Sequence, residues 1–172
     1  MLWWSRYEVA DRYDGQTLLD PTMPEFWAAQ QRDFQARLDA LTAGGAVVVA
    51  VLTEPPGVGM HSRCSPQKCP PILERMVLHD EYRTRWNDIM TAQADTDPRL
   101  FTISLDDVIC TTPPPGGTDF GAALCDDTTP SGTLRRPDGS HFDLEAVGDE
   151  VGDAVLTRLL AAVDQRSGAT SP

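Results

Sequence analysis

The sequence has no apolar run long enough to cross a bilayer. Its longest, Ala46 to Leu52, falls far short of the roughly 20 residues that a spanning helix needs. Positive charge is scarce: 14 Lys and Arg stand against 26 Asp and Glu, a formal net charge of −12 with a pI near 4.4. A surface of that sign repels phosphate backbones and anionic membranes, which argues against nucleic acid as a partner. The opening Met1-Leu2-Trp3-Trp4-Ser5-Arg6 has no basic stretch followed by an apolar region of about 7–15 residues, so no export signal is visible. There is no internal repeat and no Cys-x-x-Cys pair. His61, Cys64 and Cys69 lack zinc-knuckle spacing, and Cys110 and Cys125 lie far along the chain, so neither a metal nor another cofactor is expected.

What is present fits one compact domain, since 172 residues at 41% apolar content are enough for a single core. Thr22-Met23-Pro24-Glu25 has capping-box form, and Trp27, Phe34, Leu38 and Leu41 follow at helical spacing up to Gly44-Gly45. The continuous run 46–52 reads as a strand buried on both faces, as in a parallel sheet. A Pro/Gly-rich loop spans Thr53 to Pro71. A second helix is expected through Ile72, Met76, His79, Arg83, Trp86, Met90 and Gln93, with His79 in a structural role, and Leu100–Leu105 is the next strand candidate.

Residues 110–137 are turn-rich. Asp143 is a good N-cap for a last helix carrying Leu144, Val147, Val151, Val155, Leu159 and Ala162. From Gln165 to Pro172 the chain is small and polar, which predicts a disordered tail after a domain covering 1–164. Two adjacent Trp at an exposed terminus would leave much apolar area in water, so Met1–Trp4 reads as the end of a buried strand whose beginning lies outside this chain. The order predicts an α/β fold with a parallel sheet and right-handed crossovers.

The cysteines form two sequence-local couples, Cys64 with Cys69 and Cys110 with Cys125. Each could close a loop as a disulfide, implying an oxidising compartment; free buried thiols are the alternative. The chemistry-bearing stretch is Arg136-Pro137-Asp138-Gly139-Ser140-His141-Phe142-Asp143. A turn-prone Pro-Asp-Gly sets a His ahead of a helix start with an Asp three residues before it. A carboxylate beside one imidazole nitrogen fixes the tautomer and leaves the other nitrogen free to take a proton from a hydroxyl. The plain alternative is a solvated turn that only introduces the helix.

Asp138-Gly139-Ser140-His141-Phe142 followed by Gly148 resembles the Asp-x-x-His block near the C-terminus of SGNH hydrolases, in the variety fused to acyltransferase-3 membrane acyltransferases. The Trp4-Ser5-Arg6-Tyr7 segment at a strand end, the Val-rich strand, the helix with Trp86-Asn87-Asp88-Ile89 and the Cys-bearing loop before the block agree in order. The resemblance implies a three-layer α/β/α, flavodoxin-like sheet lacking its first strand or strands. It makes His141 the general base, Asp138 its orienting carboxylate, and the reaction ester hydrolysis or O-acyl transfer through an acyl-serine.

The implied partners are an acyl donor and a glycan-like hydroxyl acceptor, together with a membrane acyltransferase domain, at an extracytoplasmic location. The family's Gly-Asp-Ser nucleophile block does not occur in this sequence, which implies that the chain is inactive alone. Trp4, Ser5 and Arg6 stand where the family carries its oxyanion block, with Arg6 a candidate contact to an acyl or sugar oxygen. A non-catalytic glycan-binding module of the same fold is the rival expectation.

Overall fold

A computed structural model describes residues 1–4 and 8–169. The chain divides into two compact units, one made of Met1–Thr53 with Glu81–Ile103 and the other of Glu54–Asp80 with Ser104–Pro172.

The first unit contains strands β1 (Leu2–Trp4), β2 (Arg12–Asp14), β3 (Thr17–Leu19), helix α1 (Pro24–Thr42) and strand β4 (Val48–Val51). Nearly all of helix α3 (Asp80–Ala94) and strand β5 (Leu100–Ile103) complete it. β1, β4 and β5 form a parallel sheet in that order, with Trp3 opposite Ala50 and Ala50 opposite Thr102. All four residues of β4 are buried, as its unbroken apolar run requires for a central parallel strand. The hairpin of β2 and β3 was not expected from sequence, because three-residue strands carry too little alternation to register.

α1 buries Trp27, Phe34 and Leu38 at the helical spacing read from the sequence; Phe26 is buried as well, and Leu41 of that reading is only partly buried. Phe34 stacks on Trp3 at 5.0 Å and meets Trp86 edge-on at 5.5 Å, geometries that add to simple burial. The expected capping box does not form: the N-cap is Met23, and Thr22 donates its hydroxyl to Asp20 instead. Pro24 starts the helix without it, since proline's fixed φ suits the first turn and its missing N–H needs no partner there. Asn87 of α3 accepts the Thr53 N–H at 2.9 Å and donates to the Thr53 carbonyl at 2.9 Å, so one side chain satisfies the backbone where β4 ends.

The single helix expected over 72–93 is two helices, α2 (Pro71–Leu78) and α3, broken at His79 with φ −120° and ψ 67°. Apolar spacing runs across the break, so periodicity alone cannot reveal it.

The second unit holds α2, a 3-10 turn at Val58–Ser62, α4 (Asp106–Ile109) and α5 (Leu144–Ala169), linked by long irregular segments. Asp143 accepts hydrogen bonds from the Glu145 and Ala146 N–H groups and so starts α5 as expected. The backbone of α5 stays helical to Ala169, past the point where the polar tail was expected to begin. Both Cys64–Cys69 and Cys110–Cys125 are disulfides, with Cα separations of 4.4 and 5.6 Å, a linkage that persists in oxidising compartments. Among the described residues no helix is long and apolar enough to cross a membrane.

Candidate functional site

The second unit builds its most chemically specific feature in the turn Arg136–His141. Gly139 adopts φ +77° and donates its N–H to the Arg136 carbonyl at 2.8 Å, a conformation that costs glycine nothing and side-chain-bearing residues much. The turn points the Asp138 carboxylate back over the following backbone. Its Oδ1 accepts the Ser140 and His141 N–H groups at 2.9 and 2.8 Å. This Asx-type arrangement explains why the pair stands three residues apart.

Oδ2 is left for the imidazole, and His141 Nδ1 lies 2.7 Å from it. Burial pushes the Asp138 carboxyl upward. Hydrogen bonds from the His141 ring and from the two backbone N–H groups outweigh it and hold the group well below the usual carboxylate range. An ionised carboxylate only accepts, so Nδ1 carries a proton and Nε2 is the ring nitrogen left to exchange one with a hydroxyl. The His141 side chain is 64% exposed. The arrangement is a base with a fixed tautomer, open to an incoming hydroxyl.

No family model, curated protein or solved structure matches this chain.

The dyad turn is held by contacts of Arg136 that the sequence did not reveal. Arg136 is 1% exposed and Asp127 fully buried. Arg136 Nε donates to Asp127 Oδ2 at 2.9 Å, Nη1 to the Pro55 carbonyl at 2.7 Å and Nη2 to Cys125 Sγ at 3.3 Å. Pro55-Pro56-Gly57-Val58-Gly59 runs against the same turn. A Cβ on Gly59 would fall 2.4 Å from the Arg136 carbonyl oxygen, one on Gly139 2.5 Å from the Met60 nitrogen, and one on Gly57 2.1 Å from the Asp127 carboxylate. Gly57 also donates its N–H to the Gly139 carbonyl at 3.0 Å. The signals present in sequence were the Gly-x-Gly after two prolines and the Arg just before Pro-Asp-Gly; neither says which distant segment it will meet.

Arg63 follows the 3-10 turn and donates Nη1 to Asp138 Oδ2 at 3.2 Å and to Ser140 Oγ at 3.5 Å. It too went unrecognised, because it is distant in sequence from the dyad. Of the residues expected at the oxyanion region, Trp4 is half-buried at the end of β1, while Ser5 and Arg6 lie outside the described residues. Cys64 and Cys69 are joined to each other and cannot serve as thiolate ligands beside His61. A separate concavity of about 790 Å³ is lined by Asp107, Thr111, Asp126, Thr128, Arg135 and Glu150 among others, without Asp138 or His141.

Proposed function

We propose that this chain is the base-bearing part of an SGNH-type serine esterase or O-acyltransferase, acting on acyl groups of a cell-surface glycan or similar hydroxyl acceptor. The observation that carries the reading is the Asp138–His141 pair: a carboxylate held ionised, one imidazole nitrogen bound to it at 2.7 Å, and the other nitrogen a base. In such a site His141 takes the proton of the attacking serine or acceptor hydroxyl and returns it to the leaving oxygen, while Asp138 stabilises the imidazolium. The nucleophilic serine belongs to a Gly-Asp-Ser block that these 172 residues do not contain, and an acyl-serine supplied by it would be the intermediate.

The parallel sheet β1-β4-β5 with its helices is compatible with the three-layer, flavodoxin-like architecture of that family. The two disulfides agree with an extracytoplasmic setting, where a membrane acyltransferase domain would deliver the acyl group.

The test compares p-nitrophenyl acetate hydrolysis by Met1–Pro172 with that by the same chain extended upstream, in frame, through a serine block. Each is assayed beside its His141→Ala variant. Turnover in the extended form that falls by roughly 10⁴-fold with His141→Ala is expected. Equal rates with and without His141 in both forms would sink the catalytic reading and favour a glycan-binding module.

A further inference from the structure

We propose that Arg63 recognises a carboxylate on the substrate and holds it beside His141, so that the site selects acidic acceptors or acyl groups over neutral ones. The inference rests on the reading of Asp138–His141 as the reacting pair.

Arg63 commits only Nη1 to the protein, in its contacts to Asp138 and Ser140. Nε and Nη2 make no hydrogen bond with any described residue, and the side chain is 37% exposed. Those two nitrogens form one edge of the guanidinium, whose parallel N–H groups match both oxygens of a carboxylate. The distance to the chemistry is set by a shared atom: Arg63 Nη1 and His141 Nδ1 both bind Asp138 Oδ2, at 3.2 and 2.7 Å. A carboxylate on the free edge would therefore sit within one small substrate's reach of the imidazole.

The backbone that carries Arg63 is fixed in advance. Arg63 and Cys64 both donate their N–H groups to the Met60 carbonyl, at 2.9 and 3.0 Å, and Cys64 is tied to Cys69. Preorganisation of this kind lowers the ordering cost of binding.

A second, independent observation lies in the charge pattern. The chain has 26 acidic residues, yet none occurs from Pro55 to Leu73, the longest interval in the sequence without Asp or Glu, and that interval contains His61, Arg63 and Lys68. On a protein of net charge −12 the summed field disfavours an anionic substrate, and the segment that supplies Arg63 to the dyad adds no carboxylate of its own to that repulsion.

The test is an NMR titration of the intact, oxidised chain with glucuronate, with glucose as the neutral match and glucose 6-phosphate as the phosphate match. It follows the Arg63 Nε–H and His141 Cε1–H signals. Glucuronate is expected to shift both signals and glucose neither. Arg63→Gln should weaken glucuronate binding by at least about tenfold and Arg63→Lys by less, because an ammonium keeps the charge without the fork. His141→Ala should still bind glucuronate, which separates this inference from the catalytic one: binding without turnover would overturn only the latter. Equal shifts with glucose and glucuronate, tighter binding of glucose 6-phosphate, or an Arg63→Gln variant that folds with an unchanged spectrum elsewhere and binds as before would each overturn the proposal.

Discussion

The two units of this chain solve the folding problem with different means. The first concentrates aromatic and branched side chains around a short parallel sheet: Phe26, Trp27, Phe34, Leu38, Val48, Ala50, Trp86 and Met90 form one buried cluster. The second also buries apolar side chains, among them Met60, Val77, Leu105 and Ile109, but its long irregular segments are held in addition by two disulfides, a buried Arg136–Asp127 pair and three glycines against neighbouring backbone or carboxylate. The candidate site lies in the second kind of structure. A loop can aim side chains in directions that regular elements do not offer, provided something else fixes it.

The comparison can be broken most forcefully at the centre of each unit. Phe34→Ala should cost about 3–5 kcal/mol, as removal of a fully buried ring does, read as a fall in the urea midpoint. Asp127→Ala should cost a similar ~3–5 kcal/mol, because it leaves the Arg136 guanidinium buried without its carboxylate. The two losses differ in what repairs them. Adding Arg136→Met to Asp127→Ala should recover most of the stability, since an apolar side chain of similar length replaces the stranded charge, whereas no partner change refills the Phe34 cavity. If the double variant is no better than Asp127→Ala alone, the pair does not hold the turn as described above.

Next in size is the longer cross-link. Replacing Cys110 and Cys125 by Ser opens a loop with a sequence separation of 15, for which chain entropy predicts about 3 kcal/mol. Thermal unfolding should shift accordingly and become insensitive to dithiothreitol at this bond. Cys64–Cys69, with a separation of 5, should contribute less.

The smallest effect sharpens the comparison through pH. Hydrogen bonds from Arg99 hold the Asp97 carboxyl below its ordinary value in the first unit. In the second, hydrogen bonds from Thr128 lower Asp126, and those from His141 and two backbone N–H groups lower Asp138 against the effect of burial. A carboxyl with a depressed folded-state pKa binds fewer protons folded than unfolded, so stability rises with pH across that interval. These contributions are fully present above the unfolded value of about 3.9 and fade as the pH falls through the folded values. Urea midpoints measured from pH 6 down to pH 2 should decline below about pH 4, and Asp97→Asn should make that decline shallower. A midpoint that stays level to pH 2 would contradict all three assignments.

Where the chain is governed by apolar spacing, its structure was legible. Trp27, Phe34 and Leu38 mark the buried face of α1, and the Val-rich run marks β4 as a central parallel strand, because water expels apolar surface wherever the chain places it. Asp143 as N-cap, the local coupling of the cysteines as disulfide candidates and the Asp138–His141 contact were legible for a related reason: each joins residues near in sequence, where local geometry limits the choices.

The break at His79, the hairpin at 12–19 and the role of Thr22 were not legible, since competing local conformations differ by too little for spacing to decide among them. The sequence by itself determined the parallel α/β character of the first unit, the acidic surface and an Asp and His three residues apart, and it set the cysteines in two local couples without deciding whether they are bonded. Only the tertiary structure decided that Arg136 would be buried on Asp127, that Gly59 would admit the dyad turn and Gly57 the Asp127 carboxylate, and that Arg63 would share an oxygen of Asp138 with His141. These contacts join residues far apart in the chain, and nothing in a local pattern states which distant segment will complete a charge, a hydrogen bond or a glycine-sized gap.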